Sequence, residues 1–471
     1  MPHEGMLVFD ISLPGKKAKL PPVSAWLSPK FSGPGEMLLP SSATQNDPKN
    51  WKKDFPLYHY KYEELHKIKN QLNETKHAID ELRKDPRDSE NYDVVSDLVR
   101  AHDGLRGGRG VLAQEFNAEI VTNAWLKMFE TMLFVDPLLE KISKKHEDKN
   151  FHSLHIAEAP GNFMLAINHY LRTNYPLISW DWLANSYRDV MAYSRDSDIM
   201  AANSHYLPDQ YGLIAQYKDR WLFGADGDGD ITSVANLRSF HQEVQSRFAG
   251  ELQFMTSDVK YVPIQNNYDE EENINIPVHM GHLLCALMCL SKGGIMMLKE
   301  FTFFEAPSIS LLYLMACTFE QVLIVKPETS RPANSEVYIL GIGYRANLTP
   351  IQMESLLNIM NYIRFLNTED GSPAIFQQGA IPKEFVAEVV KTCKKLAEHQ
   401  MQHLKRTVDL FKKYRNTPHA RIREDFHNVR EKAAREWIAK MKIKALADKD
   451  KMARPPPRPT RSGPHWRHSK K

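Results

Sequence analysis

The sequence predicts an α/β fold: a mostly parallel sheet covered on both faces, with an antiparallel last strand and helical N- and C-terminal extensions. Three observations carry this. From about Leu154, short apolar runs alternate with longer apolar segments, as in strand–helix–strand units whose strands are buried on both faces. The two final runs, QVLIVKP and EVYILGIGY, are joined across the turn PETSRPANS, a spacing that suits an antiparallel pair better than a crossover. On either side, apolar residues recur at helical spacing.

In chain order, the first ~55 residues are rich in Pro, Gly and Ser (LPGKKAKLPP, SPKFSGPGE) and read as a weakly structured arm. Tyr58 to Arg83 reads as a helix, with Leu65, Ile68, Leu72, Ile79 and Leu82 on one face. The glycines of GLRGGRG (104–110) break the chain before a second helix, Phe116 to Val135, with Ile120, Ala124, Met128 and Met132 as its buried stripe. SLHIAEA is the first strand, followed by the turn PGNF and the helix MLAINHYLRT. ELQFMTSD and IMMLKEF are further strands around the helix HMGHLLCALMCL, and SISLLYLMACTF is the helix before the final pair. Beyond Leu348 the pattern is helical over Met353–Phe365, Lys383–Arg415 and Arg421–Ala447. It ends in a Pro-rich basic tail expected to be disordered.

Composition narrows the functional classes. At 471 residues, 42% hydrophobic and 25% charged, the chain can bury a large core across about three domains of roughly 150 residues. Four cysteines (Cys285, Cys289, Cys317, Cys393) exclude a disulfide scaffold and a zinc site of two close cysteine pairs. With no signal peptide and no apolar run of about 18 residues, no membrane association is expected. An intracellular, reducing site of action in the nucleus, the cytoplasm or both is the expectation. Net charge is +3, but residues 391–471 hold 24 Lys/Arg against 8 Asp/Glu, leaving the remainder at −13. Such asymmetry points to a polyanion, with nucleic acid the first candidate and a solvated helical face plus tail the bland alternative.

Chemistry is concentrated at the strand ends. In a doubly wound sheet, ligands sit outside the carboxyl ends of the strands. Glu158-Ala159-Pro160-Gly161-Asn162-Phe163 follows the first strand, and Gly161 lets backbone approach a ligand. A single glycine does not make a G-x-G-x-x-G dinucleotide turn, which disfavours a nicotinamide-dependent oxidoreductase. A tight structural turn is the competing reading. Asp226-Gly-Asp-Gly-Asp230 resembles part of a calcium loop but lacks the glutamate at the twelfth position and the helix pair, so no metal is expected. Asp258 ends the strand ELQFMTSD, where a carboxylate can meet a cation.

Lys299 ends an apolar strand, and Lys127 lies in the apolar helix NAWLKMFETMLF. Either could snorkel to the surface. Brought together, two lysines repel and desolvate each other, which lowers a pKa and frees an amine for proton transfer. Glu336 and Asp258 could orient such ammonium groups.

A helix lysine, a strand-end aspartate, a strand-end lysine and a glutamate after SRPANS resemble the Lys-Asp-Lys-Glu tetrad of FtsJ-like RNA 2′-O-ribose methyltransferases. AWLKMFE, SLHIAEAPGNFMLAINHYL, WDWLANS, FGADGDGDIT, GGIMMLKEFTFFE and KPETSRPANSEVYI, in order from about Gly110 to Tyr344, are similar to the Adrift-type cap-specific members. The resemblance implies a Rossmann-like, S-adenosylmethionine-dependent methyltransferase sheet. It implies Lys127, Asp258, Lys299 and Glu336 as catalytic residues. It also implies Pro160, Gly161, Asn162, Trp180, Asp230 and Asp258 as contacts to S-adenosyl-L-methionine. Asn162 stands where the family has a small residue.

The implied organisation is an N-terminal arm and helical region (1–109), a methyltransferase domain (110–346), a basic helical extension (347–450) and a basic tail (451–471). The implied reaction is methylation of the ribose 2′-hydroxyl of the second transcribed nucleotide of 5′-capped mRNA. Implied partners are capped RNA, S-adenosylmethionine and other capping or transcription factors. Alternatives are the first cap nucleotide, internal sites of ribosomal or transfer RNA, and an inactive RNA-binding scaffold. Trp51, Tyr58 and Trp221 are candidates for a cap-guanine pocket, with core packing as their competing role.

Overall fold

The computed structural model describes residues 5–12, 19–27, 31–33, 36–37, 58–98, 100–106, 110–188, 209–259, 271–364 and 372–454. Its centre is an eight-stranded sheet: β1 (Leu7–Asp10), β2 (Asn150–Ile156), β3 (Ser179–Asn185), β4 (Trp221–Leu222), β5 (Leu252–Ser257), β6 (Leu290–Glu300), β7 (Phe319–Lys326) and β8 (Val337–Tyr344). The spatial order is β1-β7-β8-β6-β5-β2-β3-β4. Strands β4, β3, β2, β5 and β6 run parallel. β8 is antiparallel to both β6 and β7, as the short connection between the last two runs requires. The stretch 179–250 also holds β3, β4 and a helix that the alternation pattern leaves unassigned.

Side chains alternate between two cores along each central strand. Met296, Leu298, Val322, Ile324 and Ile339 face one. Ile295, Met297, Leu323, Val325 and Leu340 face the other. Helices α6 (Val234–Phe248), α7 (Glu271–Cys289), α8 (Ala306–Thr318) and α9 (Pro350–Arg364) cover the first face. The second is covered by α3 (Asn123–Thr131), α4 (Asp136–Ser143) and α5 (Asn162–Asn174).

Two expectations are corrected. The first residues are not all a loose arm: β1 adds antiparallel to the sheet edge, and Trp26 is buried against Phe376. Edge pairing satisfies the backbone there, and one large aromatic secures the segment. The second helix does not begin at Phe116. Asn117 takes a left-handed φ of 51°, and α3 starts after Thr122, whose hydroxyl accepts from the Trp125 amide. Trp125 and Phe129 are therefore core, while Ile120 and Ala124 are half-buried.

The basic C-terminal helices are structural as well as charged. α10 (Lys383–Tyr414) buries Phe385, Val389, Cys393, Ala397, Leu404 and Phe411, packing on α1 (Glu63–Leu82) and α2 (Pro86–Leu98). α11 (His419–Met441) places Trp437 beside Phe129. Residues 444–454 then cross the outer side of α5, where Asn168 donates to the Asp450 carbonyl and Glu119 accepts from the amides of Met452 and Ala453. Removing the chain beyond Lys391 would thus expose core on both faces, so truncation cannot separate a role of the basic charge from folding. The tail beyond 454 lies outside the described residues.

Candidate active site

Strand register brings the tetrad together. Lys299 and Tyr338 are cross-strand partners on β6 and β8. Glu336 precedes Tyr338 by two residues and shares its face. Ser257 aligns with Leu298 in the parallel β5–β6 pair, which sets Asp258 level with Lys299. Lys127 comes from α3, packed over this face. The Lys299 amine lies 3.1 Å from Asp258 Oδ1 and 3.8 Å from Glu336 Oε2. The Lys127 amine donates directly to Glu336 Oε1. Lys127, Lys299 and Glu336 are each buried, so these are short ion pairs in a low-dielectric setting.

The charges settle one another. Burial opposes ionisation of Glu336, but Lys127 and Lys299 outweigh it and hold its carboxyl at about 2. Burial would likewise lower Lys299, yet Asp258 and Glu336 overcome it and raise the amine above its usual value. The expectation of a depressed lysine is thus corrected at Lys299: two carboxylates prevail over desolvation, and the ammonium is the resting form.

Three supporting residues have no part in the sequence expectations, and a fourth appears there only as a member of its turn. Tyr338 Oη donates toward Asp258 Oδ1 and Glu336 Oε1, each at 3.3 Å. Lys326, at the end of β7, donates to the Asn334 carbonyl and side chain, each at 2.7 Å, and to the Glu336 carbonyl at 2.8 Å. Its full burial pushes the amine down to about 7 despite Glu336, with Lys127 adding repulsion. Glu130, one turn after Lys127, accepts from the amides of Glu328 and Thr329. Lys326 and Glu130 thereby fix the loop that delivers Glu336. The signals were present: Lys326 closes an apolar strand as Lys299 does, and Tyr338 follows Glu336 at the strand period. The fourth, Glu158, lies in the adjoining turn.

That turn forms the neighbouring crevice. The Glu158 amide donates to the Asn185 carbonyl, the Ala159 amide to Ser186 Oγ, and the Asp258 amide to the Ile156 carbonyl at 3.4 Å. Three strand ends are tied into one edge by these bonds. Gly161 has φ +115°, and a Cβ there would stand 2.2 Å from Leu213 Cδ1. Gly161→Ala is expected to cost about 1–3 kcal/mol of stability, measurable by denaturant unfolding. Unchanged stability would refute the strain argument. Asn162 accepts from Thr122 Oγ1 at 2.8 Å and Tyr211 Oη at 3.1 Å, linking the turn to the helix that carries Lys127. Pro160 is half-buried beside Gly161. The Glu158 carboxyl is buried, accepts from the amides of Phe163 and Met164, and is pushed up to about 8 by burial and by Asp258. Carboxylates crowded at this edge suit a cationic ligand.

Other assignments change. Trp180 stands at the amino end of β3, and its indole donates to Ser153 Oγ. The strand end that meets the crevice is Asn185–Ser186, about 16 Å further along at the strand rise per residue. Trp180 is therefore corrected to a packing role. Asp230 sits before α6, accepting from Thr232 and pairing with Arg364 at 3.0 Å. Asp226 and Asp228 accept from Ser233 and Asn236. The acidic glycine loop is thus folded onto the start of α6. Tyr58 donates to the Trp26 carbonyl, and Trp221 is buried in β4. Trp51 lies outside the described residues.

Comparison with known proteins adds a family match and several relatives. Residues 121–344 match the family model of the FtsJ-like methyltransferases, a span holding all four tetrad positions. The chain is 28% identical over 399 residues to mouse cap-specific mRNA (nucleoside-2′-O-)-methyltransferase 2, covering 83% of this chain and 47% of the mouse protein. The Drosophila melanogaster protein of that name is 29% identical, covering 83% of this chain and 51% of its own. That of Danio rerio is 32% identical, covering 63% and 37%. The chain therefore spans about half the length of the curated relatives it matches first. Over residues 121–344 it is a domain of the FtsJ-like methyltransferase family.

Proposed function

We propose that this protein transfers a methyl group from S-adenosyl-L-methionine to the ribose 2′-hydroxyl of the second transcribed nucleotide of 5′-capped mRNA. The observation that carries the reading is the convergence of Lys127, Asp258, Lys299 and Glu336 beside the Gly161 turn. The relatives' names support a capped-RNA substrate. Intact ion pairing of all four groups favours an enzyme over an inactive scaffold.

When bound, S-adenosylmethionine supplies a methyl group already activated by its sulfonium. The residues present fit it: carboxylates at the strand ends face a ligand that carries positive charge, and the Gly161 turn offers close backbone approach. We assign Pro160, Gly161, Asn162 and Asp258 to that side, with Asp230 held by Arg364. A ribose hydroxyl is a poor nucleophile until its oxygen is freed of its proton. Lys299, resting as an ammonium, places a fixed positive charge where alkoxide character develops. Asp258 holds that ammonium from one side and Glu336 from the other. Lys127 holds Glu336. As the ribose oxygen gains the methyl carbon, its proton passes to solvent water, because the Lys299 ammonium is already protonated.

The raised Glu158 gives a pH test. Its folded value of about 8 lies above the unfolded value of 4.5, so the folded state keeps a proton that the unfolded state loses. Stability from this group falls as pH rises through that window. A cationic ligand favours the ionised carboxyl. Cofactor binding is expected to release a proton and to tighten as pH rises toward about 8. Glu158→Gln should abolish both effects, and calorimetry in buffers of different ionisation heat reads them. Absence of proton release by the unaltered protein would refute the assignment.

The substrate test is methyl transfer to RNAs with and without a 5′ cap, followed by mapping of the modified ribose. Modification confined to the second nucleotide of capped RNA is the expected result. Equal transfer to uncapped RNA would overturn it.

A further inference from the structure

Beside the tetrad lies a second, basic cavity of about 340 Å³ that no step above uses. Its walls come from the loop 327–335, from α10 and α11, and from residues 100–103 near α2. Asn123 and Leu126 of α3 complete it, one residue from Lys127. Arg100, Arg331, Arg406 and Arg430 line it. The nearby carboxylates are already engaged. Asp97 pairs with Arg100, Asp103 with both Arg106 and Arg430, and Glu328 with His102 and Lys440. Arg331 and Arg406 make no ion pair among the described residues, and both are exposed to the opening.

A second, independent feature is an unfilled donor. Ser330 is 3% exposed, lines the cavity, and its buried hydroxyl has no hydrogen-bond partner. The buried Nε of Arg430 is likewise unpartnered. A buried polar group without a partner is costly, and an anion in the cavity would satisfy both. Burial, then repulsion by Arg331 and more weakly by Arg430, lowers Arg100, while burial alone lowers Arg430.

We propose that this cavity binds phosphoryl groups of the RNA substrate, with Arg331 and Arg406 as ionic contacts and Ser330 as a hydroxyl donor. The proposal deepens the RNA reading above and rests on it. The same chemistry has two sources in that substrate: the triphosphate bridge of a capped 5′ end, and the internal phosphodiesters. The cavity's place against the Lys127 helix and the Glu336 loop holds the strand while the ribose faces Lys299.

The test uses the full chain and inorganic tripolyphosphate, which requires no RNA. Arg331→Glu and Arg406→Glu are each expected to weaken tripolyphosphate binding about ten-fold or more. Lys432→Glu, on the exposed side of α11, should leave it unchanged. Thermal unfolding of all three variants should match the unaltered protein, since these side chains are exposed. Fluorescence anisotropy with capped RNA and with the same RNA bearing a 5′-hydroxyl then identifies the source. Loss confined to capped RNA assigns the triphosphate bridge, and equal loss assigns phosphodiesters; either supports the site. Unchanged affinity of both arginine variants for tripolyphosphate and both RNAs overturns it while leaving methyl transfer intact. Tripolyphosphate binding sensitive to both arginines, in a protein that binds neither RNA, upholds the anion site and counts against the RNA reading instead.

Discussion

Lys299→Met is expected to lower single-turnover methyl transfer by about 10³-fold, with cofactor affinity changed no more than about two-fold in calorimetry. The asymmetry follows from position. Lys299, next to last in β6, faces Asp258 and Glu336, whereas the Gly161 turn is built from β2, β3 and their connections. Methionine fills similar space, so the strand remains packed while the ammonium is lost. Retained turnover would end the assignment of Lys299. An equal loss of cofactor binding would move its role from stabilising developing charge to shaping the crevice. Lys299→Arg should not restore the rate, because a planar guanidinium cannot occupy the point position of an ammonium held between two carboxylates.

The largest stability effect is expected at Glu336. Glu336→Gln leaves the buried Lys127 ammonium without its carboxylate and should destabilise the fold by about 3–5 kcal/mol, read as a drop in the unfolding midpoint. Pairing it with Lys127→Met should recover most of the loss, because the double variant buries no orphan charge. A double variant no better than the single would show that Glu336 acts chiefly through Lys326 and the loop. The pH dependence has a definite sign. The folded carboxyl lies at about 2 against 4.5 unfolded, so its stabilisation is complete above 4.5 and disappears as pH falls toward 2. The Gln variant should lose that acid-side dependence.

The α/β alternation, the antiparallel final pair and the three C-terminal helices were legible in the sequence because each rests on local periodicity. Lys127 and Lys299 stand out for a related reason, while their grouping with Asp258 and Glu336 rests on the family resemblance. A charged residue at an apolar strand end or in an apolar helix violates the pattern around it. Lys326, at the end of the apolar strand β7, obeys the same rule. Trp180 was misplaced because a motif identifies a strand without saying which end of it meets the ligand edge. Pro and Gly in the amino-terminal segment suggest looseness, yet a four-residue edge strand and one buried tryptophan suffice to hold it.

By itself, the sequence determined the kind of fold, the charge imbalance and the four residue types that the proposed chemistry needs. Tertiary structure alone decided the protonation of Lys299, since a lysine's pKa follows from the number and distance of carboxylates around it. It also decided that the basic C-terminal helices bury core and share a cavity with the loop before Glu336. Those relations join residues hundreds of positions apart, and long-range packing and electrostatics leave no periodic trace in the chain.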